Sequence, residues 1–249
     1  MGFKKMLTAA TLVAATLSAP AMAGDQIRIA TEGAYAPFNM INAQGELIGF
    51  DVDIANALCE EMKADCKIVA QDWDGIIPGL KARKYDAIIA SLSITPERSR
   101  VVAFTDPYYS NSLSFVAGKK SSFNPAEVEG KVIGAQRATI AGQYLEDNLG
   151  DKATVKLYDT QDNAYIDLAN GRLDAIISDK LPAYDWLQSE EGAKFEFRGD
   201  NIDIDDKIAI AVRKPDTELK ERFNKALKVI IENGTYDKIN AKYFPFSIY

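Results

Sequence analysis

The chain has 249 residues with ordinary globular composition, two cysteines, no histidine and a formal charge of −7. An acidic chain without basic blocks is a poor partner for nucleic acid. The absence of histidine removes histidine-based triads, histidine metal ligands and the commonest general base.

Lys4 and Lys5 precede an apolar run from Met6 to Leu17, followed by Pro20 and Ala21-Met22-Ala23. This is the pattern of a secretory signal peptide, residues 1–23, cleaved after Ala23. The run is too short for a membrane anchor, and no cysteine follows it for lipid attachment. The mature chain is therefore expected to be exported and soluble, with a charge of −9 once Lys4 and Lys5 are removed. Its length suits two lobes better than one core. In an oxidising compartment Cys59 and Cys66 are expected to pair. Two thiols alone do not make a zinc site, so no metal is expected.

Strands and helices alternate along the chain. Ile27–Ala30 reads as a strand. Apolar residues at 52, 55, 58, 59 and 62 predict a helix from Val52 to Lys63, with Asp51 and Asp53 at its electropositive start. A strand at Ile68–Ala70, a helix over Ile76–Ala82 and a fully apolar strand at Asp86–Ala90 follow. Thr95-Pro96-Glu97 is a helix start with a hydroxyl cap and proline in the first position. Ser112–Ala117 reads as a strand. The second half brings strands at Lys131–Ala135, Thr154–Tyr158 and Asp174–Ser178. They alternate with helices at Ile140–Asn148, Asn163–Ala169 and Lys180–Gln188. Ile208–Val212 is the last strand. Leu219 to Ile231 forms a long amphipathic helix, stopped by Asn233-Gly234, and Thr235 caps a final short one.

Leu80–Ile89 and Leu168–Ile177 share one pattern: helix, basic turn, then a strand opening Asp-Ala-Ile-Ile. Chance similarity between two ordinary αβ units is one reading. Two lobes of similar architecture is the favoured one. Ligands of open parallel sheets bind beyond the carboxyl ends of strands. That directs attention to Ala90-Ser91-Leu92-Ser93 in one half and Ser178-Asp179 in the other.

Ser91, Ser93 and Thr95 lead to Arg98, a guanidinium beside a helix N-terminus. This is either a carboxylate receptor or a capped helix with a surface arginine. Gln136-Arg137-Ala138-Thr139 is a strand-to-helix turn whose Thr139 and Ile140 N–H groups could face an anion. Asp179 is either the cap of the next helix or a site for an ammonium group. Glu32 reads alone as a solvated loop acid. Tyr35, Phe38 and Trp73 read as core aromatics, or Tyr35 and Trp73 form a sandwich around a ligand side chain.

Further motifs carry a resemblance. They are Tyr35-Ala36-Pro37-Phe38, Gly49-Phe50-Asp51-Val52-Asp53, Asp72-Trp73-Asp74-Gly75, Ser91 through Arg98, Phe104 through Tyr109, Gly171 through Ala175, and Gly234 through Lys238. With the Cys59/Cys66 pair they resemble, over essentially the whole mature chain, periplasmic binding proteins of ABC transporters for polar amino acids. The lysine/arginine/ornithine-, histidine- and arginine-binding branch is the nearest.

The resemblance implies an α/β, two-lobed periplasmic-binding-protein fold of type II with a two-segment hinge. Lobe 1 would comprise 25–111 plus 208–249, and lobe 2 would comprise 114–205. The hinge would lie near 110–114 and 205–208. It implies a free amino acid ligand, a membrane permease as partner, no cofactor, a periplasmic monomer, and no enzymatic turnover. Arg98 would take the α-carboxylate, with amides near Ser93 and Thr139. Asp179 and Ser93 would take the α-ammonium. Tyr35 and Trp73 would flank the side chain, and Glu32 would pair with its cationic end.

The branch often carries Asp at 32, Ser at 90, Phe at 73, Gly at 138 and an aliphatic residue at 136. Here stand Glu32, Ala90, Trp73, Ala138 and Gln136. A neutral polar amino acid or an opine is therefore an alternative ligand. Relatives of this fold also include cyclohexadienyl-type dehydratases, the alternative of another class.

Overall fold

The computed structural model describes residues 26–249, so the leader expected at 1–23 lies outside the described residues. Eleven strands and eight α-helices are arranged around one mixed eight-stranded sheet and one small three-stranded sheet. No helix among the described residues is long and apolar enough to cross a membrane.

The first half opens with β1 (Ile27–Thr31), then a meander of β2 (Ala34–Tyr35), β3 (Asn39–Ile41) and β4 (Leu47–Ile48). Helix α1 (Phe50–Glu61) starts behind Gly49, whose φ of 126° admits few side chains. A Cβ there would lie 2.3 Å from the Phe38 carbonyl. Only glycine lets α1 begin this close to the meander. Strand β5 (Cys66–Ala70), α2 (Trp73–Lys81), β6 (Ala87–Ile88) and α3 (Pro96–Ser99) complete this region, with β5 and β6 both parallel to β1. The Cys59–Cys66 disulfide is formed and ties α1 to β5.

The second half repeats the scheme. It comprises β8 (Val132–Gln136), α4 (Ile140–Leu149), β9 (Thr154–Tyr158), α5 (Gln161–Ala169), β10 (Ala175–Asp179) and α6 (Lys180–Trp186). Strands β9 and β10 run parallel to β8. The sequence echo has a shared structural basis. Asp86 donates its N–H to the Arg28 carbonyl at 2.8 Å and accepts the Arg28 N–H on its carboxylate at 3.1 Å. Asp174 does the same with Val132, at 2.8 Å each way. Each aspartate thus locks the start of one strand to its parallel neighbour. The preceding turns pass through left-handed residues, Arg83 at φ 60° and Gly171 at φ 70°.

Two long strands join the halves: β7 (Ala103–Gly118) and β11 (Phe195–Val212), paired antiparallel with several register shifts. They give the sheet its order β5-β1-β6-β11-β7-β10-β8-β9. Only their apolar segments, 112–117 and 208–212, were expected as strands. The chain closes with α7 (Thr217–Glu232) and α8 (Thr235–Tyr243). The expected Thr235 cap is corrected: Gly234, at φ 77°, is the cap residue, and Thr235 is the first helical residue. A left-handed linker between two helices favours glycine there.

Buried apolar side chains gather on two sides. Around β1, α1, α7 and α8 lie Phe38, Phe50, Tyr108, Tyr109, Phe223 and Tyr236, continued by a second cluster under α2. Around β8 to β10 lie Leu113, Phe115, Ile133, Leu145 and Ile177, continued under α5 and α6. Phe38 is core, fully buried and stacked on Tyr109.

Candidate functional site

The carboxyl ends of β1, β6, β8 and β10 face one another across a groove between the two sets of elements. One narrow cavity there is lined by Glu32, Tyr35, Trp73, Ala90, Ser91, Ser93, Arg98, Gln136, Thr139, Ile140 and Asp179. These are the eleven positions singled out from the sequence, drawn from both halves of the chain.

Arg98 is set by α3, a single turn. Thr95 Oγ1 accepts the Arg98 N–H at 3.1 Å, so the hydroxyl cap fixes the arginine's backbone. Its guanidinium donates only to carbonyls, Ser93 O at 2.9 Å and Ala138 O at 3.0 Å, and lies 5.4 Å from the centre of the Trp73 ring. Burial lowers its pKa, opposed by the charges of Asp206 and Asp179. Neither hydrogen bond neutralises the cation.

Asp179 ends β10 and is 7 % exposed. Its side chain makes no capping bond to α6; it accepts the Tyr35 hydroxyl at 2.6 Å instead. The capping reading is thereby replaced by a contact across the groove. Burial raises its pKa, and the nearby charge of Asp206 adds to the rise.

Glu32 is a buried acid, 7 % exposed, and not the solvated loop acid its position suggested. It accepts from Gln136 Nε2 at 2.7 Å across the groove. Burial pushes its pKa up to about 7; the Gln136 bond opposes this, while Asp162, Asp72 and Asp74 add to it. Gln136 also donates to Asp159 O at 3.2 Å, and its own Oε1 is buried without a partner.

On the opposite wall Thr139 caps α4, accepting the Gly142 N–H at 3.0 Å and donating to Gln136 O at 2.7 Å. Ile140 opens that helix, and Ala138 before it is left-handed at φ 57°. Trp73 Nε1 donates to the Ala138 carbonyl at 3.2 Å. Arg137 pairs with both Asp74 and Asp159 at the rim. The two sides are therefore drawn together directly over the cavity.

Residues 27–246 match the family of bacterial extracellular solute-binding proteins, family 3. The chain belongs to this family. An L-arginine-binding protein of Pseudomonas aeruginosa is 42% identical over 255 residues, covering 99% of this chain and 98% of that one. The lysine/arginine/ornithine-binding periplasmic protein of Escherichia coli is 38% identical over 256 residues, at 99% and 98% coverage. Among solved structures, a Salmonella typhimurium periplasmic binding protein of high arginine specificity matches with TM-score 0.82 and 31% identity. It covers 88% of this chain and 99% of that one. The solute-binding protein thus has the two-lobed α/β fold of its structural neighbours.

Sequence reasoning missed the groups behind the walls of this solute-binding protein. Asp51 is fully buried and accepts from Tyr108 OH at 2.6 Å, Asn39 Nδ2 at 3.0 Å and Ser91 Oγ at 3.0 Å. Burial raises its pKa to about 6, against those three hydrogen bonds. It holds Ser91, left-handed at φ 52°, in the cavity floor. Asp51 had been read only as a charge favouring its helix. The carbonyl of Ala138 and the Asp206–Asn111 pair were likewise not foreseen, since backbone acceptors and inter-strand pairs leave no local sequence mark.

Proposed function

We propose that this solute-binding protein captures a free cationic amino acid, arginine foremost, by closing its lobes around it, without turnover. The carrying observation is that Asp179 and Glu32 are buried and Arg98 is half-buried around one cavity, and none of the three forms an ion pair among the described residues. One positive and two negative charges complement a ligand with one carboxylate, one α-ammonium and one cationic side-chain end. Buried charges are tolerated when paired and hydrogen-bonded, and such a ligand supplies the missing partners.

In this reading Arg98 and the N–H groups of Thr139 and Ile140 receive the α-carboxylate. Asp179 and Ser93 receive the α-ammonium, Tyr35 and Trp73 flank the aliphatic stem over Ala90 and Ser91, and Glu32 with Gln136 receives the far end. The lobes are 25–111 plus 208–249 and 114–205. The crossovers at 110–114 and 205–208 act as the hinge, a reading supported by the division of the apolar core. An exported monomer would then deliver the ligand in the periplasm to an ABC permease, as the periplasmic relatives suggest.

A second reading, a neutral ligand such as glutamine, is favoured by the unpartnered Gln136 Oε1, which could accept an amide N–H. A dehydratase would use Glu32, whose raised pKa suits a general acid. That role leaves the pairing of Arg98 against Asp179 unexplained.

Thermal-shift screening against the common amino acids and several opines, followed by calorimetry, tests the proposal. Arginine is expected to stabilise most. Arg98→Ala and Asp179→Ala should each lose about 2–5 kcal/mol of binding while still folding. Indifference to every amino acid, or near-normal binding by both variants, would refute it.

A further inference from the structure

Asp206 lies on β11, directly opposite Asn111 of β7 in the strand register, and is 5 % exposed. Asn111 Nδ2 donates to its Oδ2 at 3.2 Å. Ser93 is held against the same stretch of β11: it bridges Ile208, and the flanking Ile94 N–H donates to Lys207 O at 2.8 Å. Burial raises the pKa of Asp206, opposed by the polar side chains of Ser93 and Asn111. Asn111 also counters the rise in the Asp179 pKa, and the strand partner of Asp179, Leu113, lies two residues further along β7. Arg98 feels the charge of Asp206 ahead of that of Asp179. Lys207, the nearest other cation in sequence, points elsewhere, to Asp205 and Ser110.

The region behind the cavity nearest the two crossovers therefore gathers two buried carboxylates, one guanidinium and an amide. Two such carboxylates disfavour each other's ionisation unless a cation joins them. Arg98 is one candidate, but a ligand carboxylate would engage it. The Asn111 Oδ1 is meanwhile a buried acceptor with no donor. With Arg98 engaged by a ligand carboxylate, a second cationic donor with several N–H groups would suit this region.

We infer that Asp206 is a positioning residue of the ammonium end. It holds Ser93 and Asn111 with their free acceptors toward an α-ammonium, and its charge adds to that of Asp179 in requiring that group. The inference rests on the amino-acid reading above and extends it: the site discriminates for the α-ammonium itself through a carboxylate pair, of which the hinge supplies one member. Asp206 does not line the cavity, so it acts through Ser93, Asn111 and the local field.

Calorimetry with L-arginine and 5-guanidinopentanoic acid, which is arginine without its α-amino group, tests this on the mature protein. Asp206→Asn keeps the shape and removes the charge. Its arginine affinity should fall at least about tenfold, while that for the des-amino acid should hold or rise. In a Ser93→Ala background the same substitution should cost clearly less, because its route to the ligand is already cut. Asp206→Ser serves if the asparagine variant does not fold. Equal losses for both ligands, unchanged arginine binding, or strict additivity with Ser93→Ala would overturn the assignment. Should the unmutated protein bind no amino acid, the functional reading itself has failed. Normal wild-type binding with no discrimination by the variant removes the Asp206 role alone.

Discussion

Replacing Glu32 by glutamine separates charge reading from shape. The carboxylate is 7 % exposed, sits 2.7 Å from Gln136 Nε2, and has no cation paired to it. A bound guanidinium would make charge-assisted hydrogen bonds there. Truncating one member of a buried charge pair costs about 2–5 kcal/mol. Glutamine keeps the volume and one acceptor, and Asp72, Asp74 and Asp162 still contribute negative potential at this position. The lower end applies, about 2 kcal/mol, or roughly thirtyfold in Kd. A glutamine ligand exchanges one neutral hydrogen bond for another and should lose no more than about threefold. Titration calorimetry at two pH values adds a second arm. Burial holds the Glu32 pKa near 7. Its carboxyl is therefore mostly neutral at pH 5.5 and ionised at pH 8, so arginine affinity relative to glutamine should rise over that window. Asp179 acts on both ligands and cancels in the ratio. The variant ratio should be flat. Equal losses for arginine and glutamine, or a wild-type ratio independent of pH, would refute this role for residue 32.

Two further outcomes are expected. Arg137→Ala removes the rim bridge to Asp74, both side chains being over 40% exposed. Solvent screening limits the effect to about twofold faster ligand release, measured by stopped-flow and abolished at about 0.5 M salt. Asp51, with a folded pKa of about 6 against an ordinary 3.8, binds its proton more tightly when folded. Its contribution is complete below about pH 4 and is lost as pH rises through about 6. It should thus make the ligand-free protein less stable at pH 7.5 than at pH 5, by about 1.4 kcal/mol. Urea unfolding should show a smaller pH difference in Asp51→Asn. The depressed pKa of Asp86, held by Arg28 and Arg213 against burial, acts below this window.

The alternating elements were legible because each carries its own period: β8, α4 and β9 appear within a residue or two of their expected bounds. The long strands β7 and β11 were only half visible. Their outer segments hold Asp106-Pro107, Ser110-Asn111 and Asp203 to Lys207, polar stretches with broken alternation. Such stretches pair because the chain must cross between the two cores, not because one face is apolar. The β2–β4 meander was missed for a related reason. Its strands are two or three residues long, below the length at which a period of two is detectable. The site residues were legible chiefly through the family resemblance. From local pattern alone, Glu32 read as solvated and Asp179 as a cap. Burial, which makes both candidates for binding a ligand, arises only when the two halves face each other.

The closed arrangement explains why a ligand's charges, more than its apolar area, should control the motion. Across the cavity the lobes meet through Tyr35 with Asp179, Glu32 with Gln136, and Trp73 and Arg98 with the Ala138 carbonyl. Every one of these joins a neutral group to a charged or neutral partner; the opposite-charge contact between the two sides, Arg137 with Asp74, sits at the exposed rim. They orient the walls but leave Asp179 and Glu32 desolvated, and Arg98 half-buried, without neutralisation, an arrangement that disfavours empty closure. A cationic amino acid would stabilise the closed state by contacts that exist fully only there, which is the differential affinity that a shift in conformational population requires. An apolar solute of equal size would gain burial against Tyr35 and Trp73 yet leave all three charges unpaired. The same chemistry that would select the ligand therefore also resists closure around the wrong one.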